Sequence, residues 1–358
     1  MAFLATCARL APDDGAVRAI RLAADAVDDW GELVWLAEDH GLVPLMRRHA
    51  RALGLPVPAR AQQQMTASAL RHREASRVHA ATLVDIVRAL GGRGVERVVL
   101  KGAVLAFDVY PEPGLRPRKD IDLLVRPEQA GPAVTALRAI GFTDSPDPQP
   151  HGVHHHLPAL VCAREGFSVS VEIHTDAISH DQPDSLTMAR MTEVARSIEV
   201  SGVAMPALGH VDMLRHLTAH LLQPGEQTRL IGVVDLLEYS ARHFEAIDWE
   251  HLRRNWPRVV NTITLLHYLV PLPAALAALR PPSGTLAPAG IGLGFPPLGT
   301  VRRSPREWPA QWRRLVYPSP WWMHAYYGVP PGRSLSGTRW FRHAPRVAYW
   351  AWRRVAQR

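Results

Sequence analysis

Cysteine is almost missing from this chain: Cys7 and Cys162 are the only two among 358 residues. They stand in no paired spacing, which leaves a disulfide framework and a thiolate metal site without support. Each reads as a packing residue, the usual fate of a free cysteine. Long apolar runs are missing too. No stretch approaches the ~18–20 residues needed to span a bilayer, and no basic segment runs into an apolar one at the start of the chain. The expectation is therefore a cytoplasmic protein, peripheral at a membrane at most. Lysine is the third scarcity. Of 41 basic side chains only Lys101 and Lys119 are lysine. Two exceptions so close together suggest a place where a compact point charge is wanted and a planar guanidinium is not.

Acidic residues are scarce in one region only. From Val301 onward there are twelve Arg against one Glu, a local +11 in a chain of net +8, so the first 300 residues stand at −3. A near-neutral body argues against extended nucleic-acid binding, which needs many cations facing phosphate. A basic tail argues for a local contact.

What is present is an ordinary globular composition, 47% hydrophobic and 21% charged. Residues 1–94 read as a helical region: Trp30, Leu33, Val34 and Ala37 recur at helical spacing, as do Leu83, Ile86, Val87 and Leu90, before Gly91–Gly92–Arg93–Gly94 stops the pattern. Residues 95–206 change character and form the expected catalytic core. Val95–Leu100 reads as a strand, Ala103–Tyr110 as a helix, Asp120–Val125 as a second strand and Gln129–Ile140 as a helix. Strands around Leu157–Cys162 and Val169–His174 follow, separated by Arg164–Glu165–Gly166. The order β-α-β-α-β-β gives an α+β fold, a small mixed sheet with helices packed on it. Residues 207–280 are helical again, 281–300 are Pro/Gly-rich and read as a linker, and 301–358 form a basic Trp/Arg-rich tail.

The chemistry points to the strand beginning at Asp120. Successive strand residues alternate faces, so Asp120 and Asp122 share one face and Ile121, Leu123 and Val125 the other. Two carboxylates side by side repel unless something neutralises them. Mg²⁺ does so, and is usually held by one or two carboxylates together with substrate phosphates. Asp-x-Asp alone is a weak pattern that a solvated strand edge also produces. The surroundings strengthen it. Lys101–Gly102 follows a strand and opens a helix, where backbone N–H groups favour phosphate. Arg116 and Lys119 lie in the loop leading into Asp120, placed to meet a polyphosphate. Ser170, Glu172 and His174 share one face of a later strand, so Glu172 is a third carboxylate on a strand able to pair beside the first.

The run Lys101-Gly102-Ala103, Tyr110, Gly114-Leu115-Arg116 and Asp120-Ile121-Asp122-Leu123-Leu124-Val125, followed by Val171-Glu172-Ile173-His174, resembles the uncharacterised nucleotidyltransferase family of the polymerase-β-like superfamily. The resemblance is specific over residues 99–176 and extends more loosely to His216, His220, Arg229 and Asp235. It implies a polymerase-β-like nucleotidyltransferase core in which Asp120, Asp122 and Glu172 are the catalytic residues and bind two Mg²⁺ or Mn²⁺ ions. The chain departs from the wider superfamily in having Gly102–Ala103 where Gly-Ser is usual, and Glu172 where Asp is common.

The expected reaction moves an NMP group from an NTP to a hydroxyl, or a similar group, on a small molecule, peptide or saccharide, and releases pyrophosphate. Lys101, Gly102, Arg116, Lys119 and Arg229 are the expected nucleotide contacts, with His156, His174 and His220 at the cleft. A toxin-type enzyme acting on RNA or protein, or an inactive scaffold binding through its basic tail, are the competing readings. His151 and His154–His156 read chiefly as a polar loop entering a strand. His216 and His220 fit either packing or a substrate cleft, and Arg229 either pairs with Asp235 or contacts a nucleotide. The tail holds seven of the eleven Trp, including Trp308, Trp312, Trp340 and Trp352. These cover the body, contact a partner protein or membrane surface, or stack on nucleic acid.

Overall fold

A computed structural model describes residues 2–146, 156–178, 182–223, 228–284, 287 and 316–356. The chain divides into two compact units. The first comprises Met1–Ile178 and Ser185–Met213, the second Ser179–Asp184 and Leu214–Arg358.

The first unit opens with five helices: α1 (Ala2–Thr6), α2 (Asp14–Asp25), α3 (Trp30–Asp39), α4 (Val43–Ala52) and α5 (Ala59–Gly91). Local chemistry sets their starts. The Asp13 carboxylate accepts from the Ala16 N–H at the head of α2, and Asp29 accepts from Gly31 and Glu32 at the head of α3. Both satisfy donors that a helix start leaves unpaired. Helix α5 is long because nothing in its 33 residues breaks it. Val78, Thr82, Leu83, Ile86, Val87 and Leu90 make its buried stripe, which packs toward α7 and the sheet.

A polar contact ties α3 to α5. The Glu38 carboxylate accepts from Ser68 Oγ at 2.6 Å, Arg71 Nη2 at 2.6 Å and His72 Nε2 at 2.8 Å. The His72 contact does most to hold the Glu38 carboxyl down, at about 2. A depressed acid stabilises the fold above its ordinary pKa of 4.5 and loses that contribution as pH falls through the folded value. Glu38→Ala is accordingly expected to cost about 1–2 kcal/mol near neutral pH, after allowance for partial exposure. The deficit shrinks as pH drops from 4.5 towards 2, and urea melts of both proteins across that range measure it.

The sheet has seven strands: β1 (Arg97–Val99), β2 (Asp120–Val125), β3 (Thr143–Asp144), β4 (Leu160–Arg164), β5 (Phe167–His174), β6 (Arg196–Val200) and β7 (Val203–Ala207). Their spatial order is β3-β4-β5-β2-β1-β7-β6. Pairs β2·β5 and β1·β7 are parallel and the remaining pairs antiparallel, which makes the sheet mixed. Helices α6 (Lys101–Asp108) and α7 (Ala130–Ala139) fill the connections after β1 and β2. The expected α+β architecture is what the chain adopts.

Three strands go beyond the sequence reading: the short edge strand β3 and the hairpin β6–β7. Ser201 and Gly202 both have positive φ, 50° and 78°, the backbone of a two-residue hairpin turn with the sheet's own twist. Glu165 and Gly166 repeat it at the β4–β5 turn, with φ of 48° and 79°. Strand β7 matters to the site because it pairs with β1 and so flanks the central strands on the side away from β5.

The second unit contains most of α8 (His210–Leu221), then α9 (Leu230–Arg242), α10 (Trp249–Asn255), α11 (Pro257–Leu266), α12 (Pro320–Tyr327) and α13 (Ala344–Ala356). Part of the Trp-rich tail is core here. Trp321, Trp322, Tyr326 and Trp350 are buried together with Leu222 and Leu265. Trp322 stacks on Tyr326 at 4.4 Å between centroids, and Trp350 meets Tyr326 edge-on at 6.2 Å. Arg258 lies over the Tyr326 ring and donates to Gln182 Oε1 at 2.6 Å. Trp308, Trp312, His151, His154, His155 and most of the Pro/Gly-rich stretch fall outside the described residues. No described helix is long and apolar enough to cross a membrane.

Candidate active site

The first unit builds the site from the two central parallel strands. The register sets Asp120 opposite Ser170, Asp122 opposite Glu172 and Leu124 opposite His174. Because facing residues of paired strands project the same way, Asp122 and Glu172 emerge side by side. The other faces of both strands, Ile121 and Leu123 on β2 and Val171 and Ile173 on β5, are buried in the core. The acids therefore stand on a rigid support. Asp122 is itself buried at 1% exposure, while Asp120 and Glu172 remain partly accessible.

Helix α6 supplies the counter-charge. The Leu100 N–H donates to the Asp122 carbonyl at 3.0 Å, which fixes the start of α6 beside β2. Lys101, the first residue of that helix, then places its Nζ 3.3 Å from Asp122 Oδ2. Burial pushes the Lys101 ammonium down, but Asp122, Asp120 and Glu172 outweigh it and raise its pKa above the ordinary value. On the other carboxylate oxygen, His174 Nε2 donates to Asp122 Oδ1 at 3.0 Å. It also lies 3.6 Å from Glu172 Oε2, as does His156 Nε2. Burial lowers His174 and its carboxylate contacts raise it, with a net upward shift. Glu172 responds in kind: burial pushes it up, and His174 and His156 hold it below the usual carboxylate range. Asp120 goes the other way, to about 6, raised first by burial and then by Asp122. Carboxylates sharing a buried space cannot all ionise freely without added positive charge.

The approach loop contributes three cations. Gly102 has Arg116 directly against it: a Cβ there would lie 2.6 Å from Arg116 Nη1. Arg118 donates from Nη2 to the Ser76 carbonyl at 3.0 Å and lies over the Phe107 ring, 5.6 Å from its centroid. Burial and the neighbouring Arg116 push its pKa down to about 9. Lys119 is exposed. The loop is seated by Gly114, whose missing Cβ would otherwise sit 2.9 Å from Arg73 Cα on α5.

One group among the described residues has the donors for a metal ion: Asp122, Glu172 and His174 each offer a ligand atom, all within 4.8 Å of one another, with Asp122 and His174 buried and Glu172 half-buried. Two hard carboxylates suit Mg²⁺ or Mn²⁺, and the imidazole nitrogen is a better partner for Mn²⁺. The donor set thus fits a divalent ion. It differs from the sequence expectation in one member. His174, expected at the cleft edge, sits against both acids, and Asp120 stands next to the trio on the same strand face. Strand periodicity put His174 on the right face; its reach to Asp122 depends on the register, which sequence alone does not give. Arg118 was not singled out, because nothing in Arg116-Pro117-Arg118-Lys119 marks that its guanidinium packs on Phe107 and donates to the Ser76 carbonyl.

The expected contacts Arg229 and His220 belong to the second unit. Arg229 caps α9 and is half-buried, and His220 is an exposed residue of α8.

Residues 26–265, about two thirds of the chain, match the family described as uncharacterised nucleotidyltransferase. The chain belongs to that family. It is a nucleotidyltransferase, and the family implies a nucleoside triphosphate substrate. Among solved structures, an antigenic nucleotidyltransferase-like protein from Paracoccidioides brasiliensis is similar at 14% identity, over 45% of this chain and 75% of that one, with a TM-score of 0.32. No curated protein matches.

Proposed function

We propose that the protein transfers an NMP group from an NTP to a hydroxyl, or a similar nucleophile, of a small molecule, peptide or saccharide, with loss of pyrophosphate. The observation that carries this reading is the pairing of Asp122 with Glu172 in register, beside Asp120 and under Lys101. Three clustered acids cost stability, and a metal-dependent phosphoryl site gives them a use.

In this reading Asp122, Glu172 and His174 would hold one divalent ion, and Asp120 with Asp122 would hold a second. When bound, such ions neutralise phosphate charge and lower the pKa of an acceptor hydroxyl. The triphosphate lies along Gly102 at the start of α6, with Arg116 and Arg118 facing its negative charge and Lys119 at the rim. Lys101, paired with Asp122 at 3.3 Å, would be available to phosphate if a divalent ion took over neutralising that carboxylate. The acceptor oxygen forms a bond to the α-phosphorus as the bond from that phosphorus to the β-phosphate oxygen breaks, and pyrophosphate leaves. Glu172, held ionised by its histidine neighbours, takes the acceptor proton. The chain is Arg-rich but near neutral before residue 301, which favours a compact acceptor over RNA.

The test is pyrophosphate release from each of the four NTPs with Mg²⁺ or Mn²⁺, in separate reactions containing sugars, peptides or small alcohols. The reading expects metal-dependent release that one acceptor class stimulates. Release stimulated by RNA alone would replace the acceptor assignment, and no release under any combination would remove the reaction.

A further inference from the structure

The aromatic residues of the tail divide into two sets. His343 and Trp350 point inward and are buried, at 1% and 4% exposure. Trp340, Phe341, Tyr349 and Trp352 point the other way, at 68%, 83%, 38% and 64%. Large aromatics seldom lie so open when packing is their purpose, and several together mark a contact surface. The four are grouped along one helical segment, in which a π turn over Arg339–His343 runs directly into α13. Tyr349 and Trp352 are neighbours, with ring centroids 6.2 Å apart.

The charge beside them has one sign. From Trp308 to the last residue there is no Asp or Glu, while Arg333, Arg339, Arg342, Arg346, Arg353, Arg354 and Arg358 all occur. Arg342 packs over Tyr327 and Arg346 over Tyr349, so two guanidinium groups are held against aromatic rings close to the open set. Exposed Trp, Tyr and Phe next to arginine, on a helix whose opposite side is anchored in a core, is the composition of a helix that lies in a bilayer interface. Trp and Tyr sit at headgroup depth, and arginine pairs with anionic lipid phosphate. A nucleic-acid surface would need the cations along a groove, whereas here four large aromatics stand exposed beside them. No described helix is long and apolar enough to span a membrane.

We infer that the face formed by Trp340, Phe341, Tyr349 and Trp352 docks the protein on an anionic lipid surface, with the neighbouring arginines facing lipid phosphates. This inference stands apart from the nucleotidyl-transfer reaction, because none of these residues belongs to the carboxylate site.

Co-sedimentation of the full chain with vesicles tests it. Wild-type protein is expected to bind vesicles of phosphatidylcholine with about 30% phosphatidylglycerol at least tenfold more tightly than pure phosphatidylcholine. High salt should weaken the binding. The triple variant Trp340→Ala, Phe341→Ala, Trp352→Ala should lose at least tenfold in affinity for the anionic vesicles while keeping its circular dichroism and its NTP binding. All three side chains are mostly exposed, so the fold does not depend on them. Equal binding to both vesicle types, no binding to either, or a variant that binds like wild type would overturn the inference. A concentration-dependent dimer that the triple variant abolishes, with no vesicle binding, would assign the face to a second copy of the chain instead.

Discussion

Asp122→Asn is expected to leave the protein folded and to reduce nucleotidyl transfer by at least ~10³-fold, a loss of about 4 kcal/mol of transition-state stabilisation. The substitution keeps the side chain's shape, and the amide oxygen still accepts from His174 Nε2, whose present distance is 3.0 Å. What disappears is the negative charge. Asp122 is the acid on which every other group converges: Lys101 on one oxygen, His174 on the other and Glu172 across the strand pair. An uncharged side chain there leaves the proposed metal group with one carboxylate and one imidazole. The checks are steady-state pyrophosphate release and a thermal melt on the same preparation. Retention of more than a few per cent of wild-type turnover would remove Asp122 from the chemistry. Loss of turnover with loss of fold would be uninformative for that variant, and Glu172→Gln, at the more accessible acid, then carries the same comparison.

The second large effect is expected on stability. Lys101→Met should lower the melting temperature of the metal-free protein by roughly 5–10 °C, for a cost of about 2–4 kcal/mol. Removing one partner of a buried ion pair leaves the other charge uncompensated, and Asp122 is among the most deeply buried acids in the first unit. The sign follows from the pKa. Lys101 is raised above its ordinary value of 10.5, so its contribution is fully present below that pH and disappears only as pH climbs through the higher folded value. The lysine's own titration therefore adds no pH dependence to the deficit across the neutral range. Millimolar Mg²⁺ or Mn²⁺ should restore much of it, because the ion takes over the neutralising role. If Lys101 served the substrate alone, the variant would melt with wild type and metal would change nothing.

Both expectations turn on a detail that the sequence conveys only halfway. Alternation along Asp120–Val125 and Val169–His174 is enough to put Asp120, Asp122, Glu172 and His174 together on the face opposite the core, because one-residue slips would expose Ile121, Leu123, Val171 and Ile173. The strand bounds at Asp120 and Val125 agree with the structure, and so does the adjacency of the two strands. Which residue of one strand meets which of the other is a different matter. Register comes from the fold as a whole, and it decides that His174 reaches Asp122 and that Lys101 pairs with Asp122. The hairpin Arg196–Ala207 was legible in principle, since Arg196-Ser197-Ile198-Glu199-Val200 alternates and Ser201–Gly202 is a turn pair. Its Pro206 and the short run lengths hid it. In the tail, Trp321, Trp322 and Trp350 look in sequence like Trp340 and Trp352. Only packing separates the three that build a core from the two that face outward.

The measurement that bears most directly on the site is equilibrium binding of the four labelled NTPs to purified protein, with Mg²⁺, with Mn²⁺ and with chelator, alongside the double variant Asp120→Ala, Asp122→Ala. At least one NTP should bind wild type only when a divalent ion is present, and the double variant should lose that binding while keeping its fold. Binding of no nucleotide under any condition, or metal-dependent binding that survives loss of both carboxylates, would contradict the assignment of this site.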